Sequence, residues 1–166
     1  MTEDAVARPN KRPVSVLVVI HTPDLQVLLL ERADHPGWWQ SVTGSQDAGE
    51  TLTETAIREV REETGLDAMT YIFSDWGYAN EYEIYACYRH RYPPGISRNT
   101  EHVFGLQLPQ PLPVTLAPGE HLAWQWLPWD KAAGKCFSPS NAEAIRLLPA
   151  IGLGNSSGRV SRVITA

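Results

Sequence analysis

A mixed α/β domain around one hydrophobic core is the fold class this sequence predicts, and three observations predict it. Apolar, β-branched runs recur on both sides of one strongly patterned helix. That helix carries a capping signal at its start and a glycine at its end. The chain has 166 residues, which suits one domain with one core. Strands, a helix, more strands and a last helix then read as packed α/β layers.

Each element has its own signal. Residues 1–10 look like a loose tail, and the domain proper is expected over 11–149. Val14 to Ile20 is an unbroken apolar run, read as a buried strand. Thr22-Pro23-Asp24 is turn chemistry, so Val27 to Glu31 should return antiparallel. Trp39 to Thr43 is a short extended piece ending at Gly44. Thr51 to Thr64 is the clearest helix: Thr51 and Glu54 form a T-x-x-E capping box. Leu52, Ala56 and Val60 share one face with Ile57 beside them, and Gly65 stops the helix. Tyr82 to Tyr92 and His102 to Leu108 are strand-like, with Tyr92-Pro93-Pro94-Gly95 in the turn between them. His121 to Leu127 is a late strand. Ser140-Asn141-Ala142-Glu143 is a second capping box, whose helix runs to about Leu148. Residues 150–166 are rich in Gly and Ser and read as a second mobile tail.

Composition narrows the function classes. Hydrophobic residues make up 43% and charged residues 20%, an ordinary globular balance. A net charge of −5 argues against nonspecific binding to nucleic acid or to an acidic membrane. An acidic protein still binds phosphates where a divalent metal supplies positive charge. Cys87 and Cys136 form no C-x-x-C pair and read as packed or free thiols in a reducing compartment. Met1 to Arg12 is charged and is not a signal peptide, and Val14 to Ile20 is too short to span a bilayer. A cytoplasmic protein is expected.

The chemistry concentrates in Gly44-x₅-Glu50-x₇-Arg58-Glu59-Val60-x-Glu62-Glu63-x-Gly65-Leu66. At about 100° per residue, Glu59, Glu62 and Glu63 project within one arc of roughly 100°. Three carboxylates so close repel one another unless a cation lies between them. Oxygen-only ligands suit Mg²⁺, which keeps waters and accepts substrate phosphates, with Mn²⁺ as the alternative. Such a metal neutralises phosphate charge and lowers the pKa of a bound water. Arg58 stands one turn before Glu62, at ion-pair spacing. A lone E-x-x-E-E on a helix would be an ordinary solvated face; the complete pattern is far more specific.

This pattern resembles the Nudix hydrolase signature at every defined position. The resemblance implies an α/β/α sandwich around a mixed sheet and metal-dependent cleavage of a phosphoanhydride. It also implies that Arg58 orients a metal-binding glutamate. Further segments resemble one branch of that family, the dihydroneopterin triphosphate pyrophosphatases of bacterial folate synthesis. They are Lys11-Arg12-Pro13 with the run to Ile20, Trp39-Gln40-Ser41-Val42-Thr43-Gly44-Ser45, Arg89-His90-Arg91-Tyr92-x-Pro94-Gly95-x-x-Arg98-Asn99-Thr100-Glu101, and Glu120-His121-Leu122-Ala123-Trp124-x-Trp126-Leu127. Ala68 to Asn80, the proline-rich Pro109 to Gly119 and the end after Pro149 depart from that branch.

The resemblance implies Glu59 and Glu63 as primary metal ligands and Glu120 as a third ligand or a base. Glu62, Glu63 and Glu120 all remain candidates for the general base. Lys11 and Arg32 would contact phosphates. Thr43, Tyr82, Glu83, Ile84, Tyr85 and Ser138 would lie near the substrate. Each has a plainer reading: a tail lysine, a surface ion pair, sheet packing, a loop hydroxyl. Strand alternation would put Tyr82 and Tyr85 on opposite faces, so that only one could stack on a ring. Arg89, His90, Arg91 and Arg98 read as a structural or substrate loop rather than an anion patch. Trp38, Trp39, Trp124, Trp126 and Trp129 read as packing residues. The expected reaction is hydrolysis of 7,8-dihydroneopterin 3′-triphosphate to the monophosphate and pyrophosphate. The rivals are a (d)NTP pyrophosphohydrolase for nucleotide cleanup and a noncatalytic module binding nucleotide or RNA. The expected partner is a small triphosphate, not nucleic acid or membrane, with the protein a monomer or small homo-oligomer.

Overall fold

The strand Val14–His21 (β1) is the axis of the fold. In the computed structural model, which describes residues 10–153 and 163–165, every residue of β1 after Val14 is buried. A strand covered on both faces carries an unbroken apolar run instead of alternation, and residues 14–20 supply one. Along one edge β1 pairs in parallel with Arg98–Gln107 (β6). The other edge is shared. Val42–Ser45 (β4) covers Ser15 to Val18 antiparallel, and Gln26–Arg32 (β2) joins at His21 opposite Val27.

The remaining strands are Trp39–Gln40 (β3), Ile72–Glu83 (β5), His121–Pro128 (β7) and Val163–Thr165 (β8). The sheet order is β3-β2-β1-β6-β5-β8, with β4 on β1 and β7 on β2. The helices are Leu52–Thr64 (α1), Trp129–Lys135 (α2), Pro139–Arg146 (α3) and Leu148–Leu153 (α4). Alternate residues of β1 serve the two faces. Val16, Val18 and Ile20 meet Ala56 and Val60 of α1. Leu17 and Val19 meet Ala132 and Ala133 of α2 and Ala142 and Ile145 of α3. The result is the expected α/β/α sandwich around a mixed sheet. No helix among the described residues is long and apolar enough to cross a membrane.

The helix α1 forms as its sequence dictates. Thr51 accepts a hydrogen bond from the Glu54 N–H at 3.1 Å, satisfying one of the donors a helix start leaves open. Gly65 closes the helix at φ 75°, a left-handed conformation that costs glycine nothing.

Several expectations need correction. Of the stretch 82–92 read as a strand, only Tyr82 and Glu83 lie in β5, and residues 86–91 form a 3-10 helix. Tertiary contact overrides the local pattern there: Tyr88 is drawn to Asp34 and His35, at 3.2 and 3.1 Å. The strand runs earlier instead, over a segment with no clear signal. Trp76, Tyr78 and Asn80 do alternate inward. The ladder shifts register between Asp75 and Ala79, and Gly77 sits at φ 70°, a bulge that masks the period. The last capping box begins two residues late. Ser138 is the residue before α3 and Pro139 is its first, a position where proline's missing N–H is harmless. The short α2, begun after Pro128 without a side-chain cap, has no start signal to read.

The carboxyl-terminal stretch expected to be loose from residue 150 begins inside α4 and includes β8, paired with β5. Residues 154–162 and 166 lie outside the described residues, as do residues 1–9 of the amino-terminal tail. Trp124 departs from the packing expectation at 38% exposed.

The core predicts its own weakest point. Phe104 of β6 is 1% exposed and stacks on Phe73 at 5.4 Å. Phe104→Ala should cost about 3–5 kcal/mol, read from the urea midpoint at constant m-value. A loss below about 1 kcal/mol would mean that this face of the sheet collapses onto the gap.

Candidate active site

One face of α1 and the loop before it assemble the acidic end of a cavity. Arg58 is the hub. Its Nε and Nη2 donate to the two oxygens of Glu50 at 2.7 and 2.9 Å. Nη2 also reaches the Ser45 carbonyl at 3.1 Å. Nη1 donates to Glu59 at 2.9 Å and to Glu62 at 3.2 Å. The planar guanidinium can hold this many fixed acceptors because its donors form a rigid fork. Hydrogen bonds from Arg58 hold the Glu50 carboxyl down at about 2, so Glu50 stays an anionic anchor. The expected i,i+4 pair with Glu62 is present, and Arg58 binds Glu59 as well.

Gly44 explains how close the loop comes. A Cβ there would overlap the Glu59 carboxylate. Any larger residue would push that carboxylate out of its place or β4 away from α1. Glu59 itself is mostly covered. Burial raises its pKa to about 7, against the pull of Arg58.

Glu63 lies deeper, at 4% exposed. The Thr43 N–H donates to its Oε2 at 3.1 Å, and Nε2 of His121 lies 3.4 Å from its Oε1. Burial first, then the Glu59 charge, pushes Glu63 well above the usual carboxylate range, and Glu120 adds to this. Burial holds His121 down to about 4, helped by Arg32. The two buried groups thus face each other with the charged form of each disfavoured by burial. The Nδ1 of His121 has no hydrogen-bond partner. Glu120 sits exposed in the turn before β7 and lines the cavity with Glu59, Glu62 and Glu63.

This donor set fits a hard divalent cation. It is made of oxygens, it carries more negative charge than its neighbours offset, and burial makes that charge costly. Among the described residues no three such side chains already converge on one point. Like charges explain the spread, since Glu59 leans on Arg58 and Glu63 on Thr43.

The cavity encloses about 910 Å³ and gathers most of the residues expected near a substrate. Lys11 lines it beside Glu59, with its pKa brought down to about 8 chiefly by burial. Arg32 also lines it, already engaged. Asp34 takes its Nε and Nη2, both at 2.8 Å, and Gln40 takes Nη1 at 3.0 Å. The Thr43 hydroxyl donates to the Val16 carbonyl at 2.9 Å, so this residue positions Glu63 with its backbone and faces the cavity already bonded. Tyr82, Ile84, Tyr85 and Ser138 all line the cavity. The argument that alternation would separate Tyr82 from Tyr85 fails because β5 ends at Glu83. Glu83 is a correction in the other direction: it is exposed, outside the cavity lining, and pairs with Arg89. Its place at the strand end turns it to the opposite face.

Other expectations fall into place around the rim. His90 and Arg91 line the cavity, whereas Arg98 pairs with Glu81 at 3.0 Å. Trp38 is a packing residue, stacked between His35 at 4.2 Å and Phe137 at 4.5 Å. Both cysteines are free thiols.

Sequence reasoning assigned no role to Glu101, His121 or Asn141, all of which line the cavity. Glu101 and His121 lie inside segments that carry the branch resemblance, which was the available signal. Asn141 was read only as part of a capping box. It is instead a clamp, accepting from the Ser41 N–H at 2.8 Å and donating to the Ser41 hydroxyl at 2.9 Å.

Comparison with known proteins agrees with this geometry. Residues 11–148 match the NUDIX domain family. The dihydroneopterin triphosphate diphosphatase of Escherichia coli K12 is 46% identical over 138 residues, covering 81% of this chain and 91% of that protein. The Haemophilus influenzae protein of the same name is 41% identical over 140 residues, covering 82% and 87%. The solved structure of the E. coli dihydroneopterin triphosphate pyrophosphohydrolase superposes with a TM-score of 0.79, covering 84% of this chain and 96% of that one.

The raised carboxyl groups set a pH signature. A carboxyl whose folded pKa lies above its unfolded value gives stability that is complete below the unfolded pKa and is lost as pH rises through the folded one. For Glu59 that window runs from the ordinary carboxyl value of 4.5 to about 7, and Glu63 shifts the same way. A divalent cation competes with those protons, so its stabilisation should grow with pH. Added Mg²⁺ should raise the Tm clearly more at pH 8 than at pH 5. Equal shifts at both would mean that the cation does not bind these carboxylates.

Proposed function

The chain belongs to the Nudix hydrolase family, and on that footing we propose that it is a Mg²⁺-dependent pyrophosphohydrolase converting 7,8-dihydroneopterin 3′-triphosphate to the monophosphate and pyrophosphate. The observation that carries the reading is one cavity with two chemically distinct ends. Glu59, Glu62, Glu63 and Glu120 form an acidic end, and Ile84, Tyr85, Phe137 and Ser138 line the same cavity. The named relatives match over most of their own length, so the likeness covers both ends and not only the glutamate helix.

Roles follow from the geometry. Glu59 and Glu63 would hold the cation, with Glu120 reaching in from the turn before β7. When bound, the cation supplies positive charge to the phosphate oxygens and makes a coordinated water more acidic. Arg58 keeps Glu59 and Glu62 in place through its fixed bond to Glu50. Glu62 and Glu120 are the carboxylates exposed to solvent, and these are suited to take the proton of the attacking water. Glu63 is held by Thr43 and His121 and is suited to a ligand's role. Lys11 and Arg32 offer positive charge to the outer phosphates, since both lie in the field of Glu63. Ile84, Tyr85 and Phe137 give a flat bicyclic ring an apolar wall, with Ser138 at its edge.

Two free thiols fit a reducing, cytoplasmic compartment. The carboxylate set is intact, which argues against a module that only binds.

Pyrophosphate release with Mg²⁺ tests the proposal directly, comparing dihydroneopterin triphosphate with the dNTPs at equal concentration. A clear preference for the pterin is expected. Equal or better dNTP turnover would move the enzyme to nucleotide cleanup, and binding without turnover would leave only a binding module. Glu63→Gln should lower kcat about 100-fold or more with the fold intact by circular dichroism; near-normal turnover would remove Glu63 from the cation site.

A further inference from the structure

Glu101 is a buried carboxyl with one oxygen left without a partner. It sits on β6 opposite Ser15 of β1 and Asn80 of β5, is 4% exposed, and lines the cavity. Its Oε1 has no hydrogen-bond donor. Its Oε2 lies 3.4 Å from the Thr43 hydroxyl, whose single proton already goes to the Val16 carbonyl at 2.9 Å. Among the described residues no lysine, arginine or histidine forms an ion pair with it, and burial pulls its carboxyl up to about 7. A buried carboxyl with one oxygen bare and the other served only by a long, shared donor is costly to a fold. Such a group is tolerated where a ligand completes it.

Thr43 stands between this carboxyl and the acidic end, since its backbone N–H binds Glu63 at 3.1 Å. Glu101 thus faces the same substrate as the glutamates of α1, from farther inside the fold. A buried carboxylate repels phosphate, so the triphosphate does not dock on it. The part of the substrate that meets Glu101 must bring donors. A dihydropterin carries two of them side by side, the 2-amino group and the adjacent ring N–H. Two parallel N–H donors match the two oxygens of one carboxylate.

We infer that Glu101 is the residue that reads the substrate's ring, its carboxylate accepting both N–H donors of the 2-amino-pyrimidinone edge of the pterin. The inference rests on the proposed substrate and adds what selects it. Adenine offers a donor beside an acceptor at its pairing edge, so it satisfies one carboxylate oxygen and opposes the other. The selection is one of hydrogen-bond pattern rather than of ring size, and patterns of this kind discriminate more sharply than apolar fit.

The test measures kcat/KM for dihydroneopterin triphosphate and for dATP in the wild type and in Glu101→Gln, with the Tm of both proteins. The substitution keeps the shape and removes an unpaired buried charge, so the Tm should hold or rise. The ratio of pterin to dATP kcat/KM should fall about 10- to 100-fold, through KM more than kcat. A ratio that stays within about twofold of wild type overturns the assignment, whether both activities fall together or neither falls. Failure of the proposed substrate reads differently: wild-type enzyme would then show no preference for the pterin, and the inference would fall with it.

Discussion

The crowding of like charge on one face of α1 is the constraint around which the rest is arranged. Glu59 and Glu63 are one turn apart, both covered, and both driven toward the protonated form by burial. Left to themselves they would swing apart into solvent. Arg58 prevents that for Glu59 and Glu62, and Glu50 in turn fixes Arg58. The Thr43 backbone does the same for Glu63. Gly44 is bare because the carboxylate of Glu59 occupies the space a side chain would take. The loop, the helix and β4 thus hold one another through the same few polar contacts.

Those contacts need a stiff support, and β1 provides it. Its two-sided burial places α1 against one face and α2 with α3 against the other. Its outer edge is divided between β4 and β2. The segment 39–45 crosses from β2, which pairs with β3, to β1, which pairs with β4. The cavity lies along that crossing. This is why residues from β1, β4, β5, β6 and the turn before β7 can all face one substrate.

The cavity's far wall is tied down by aromatic packing rather than by strands. His35, Trp38 and Phe137 stack in one column, and Tyr85 and Tyr88 meet its sides. The guanidinium of Arg32 lies 4.8 Å from the Tyr88 ring centre. The 3-10 segment 86–91 is therefore fastened to the loop 33–38 across the cavity mouth. Lys11 joins the same rim through its N–H to the Arg91 carbonyl at 2.7 Å. Lys11, Arg32 and Arg91 share one cavity with the carboxylates of α1, an arrangement that a triphosphate with a bound cation can bridge.

The helix α1, its caps and its carboxylates were legible in the sequence because every signal for them is local. The buried run of β1 was legible for the same reason, and with it the fold class. The strand β5 was not, because a bulge at Gly77 breaks its period, and 82–92 misled because Tyr88 finds its partners in a loop more than fifty residues away. The site divides along the same line. Glu59, Glu62, Glu63 and Arg58 are set by helical spacing, which a sequence displays. Glu101, His121 and Asn141 gain their roles only from what they face: an empty donor position, a buried carboxyl, a backbone N–H a hundred residues distant. No spacing encodes those neighbours, since strand pairing and loop closure bring them together only when the chain has folded.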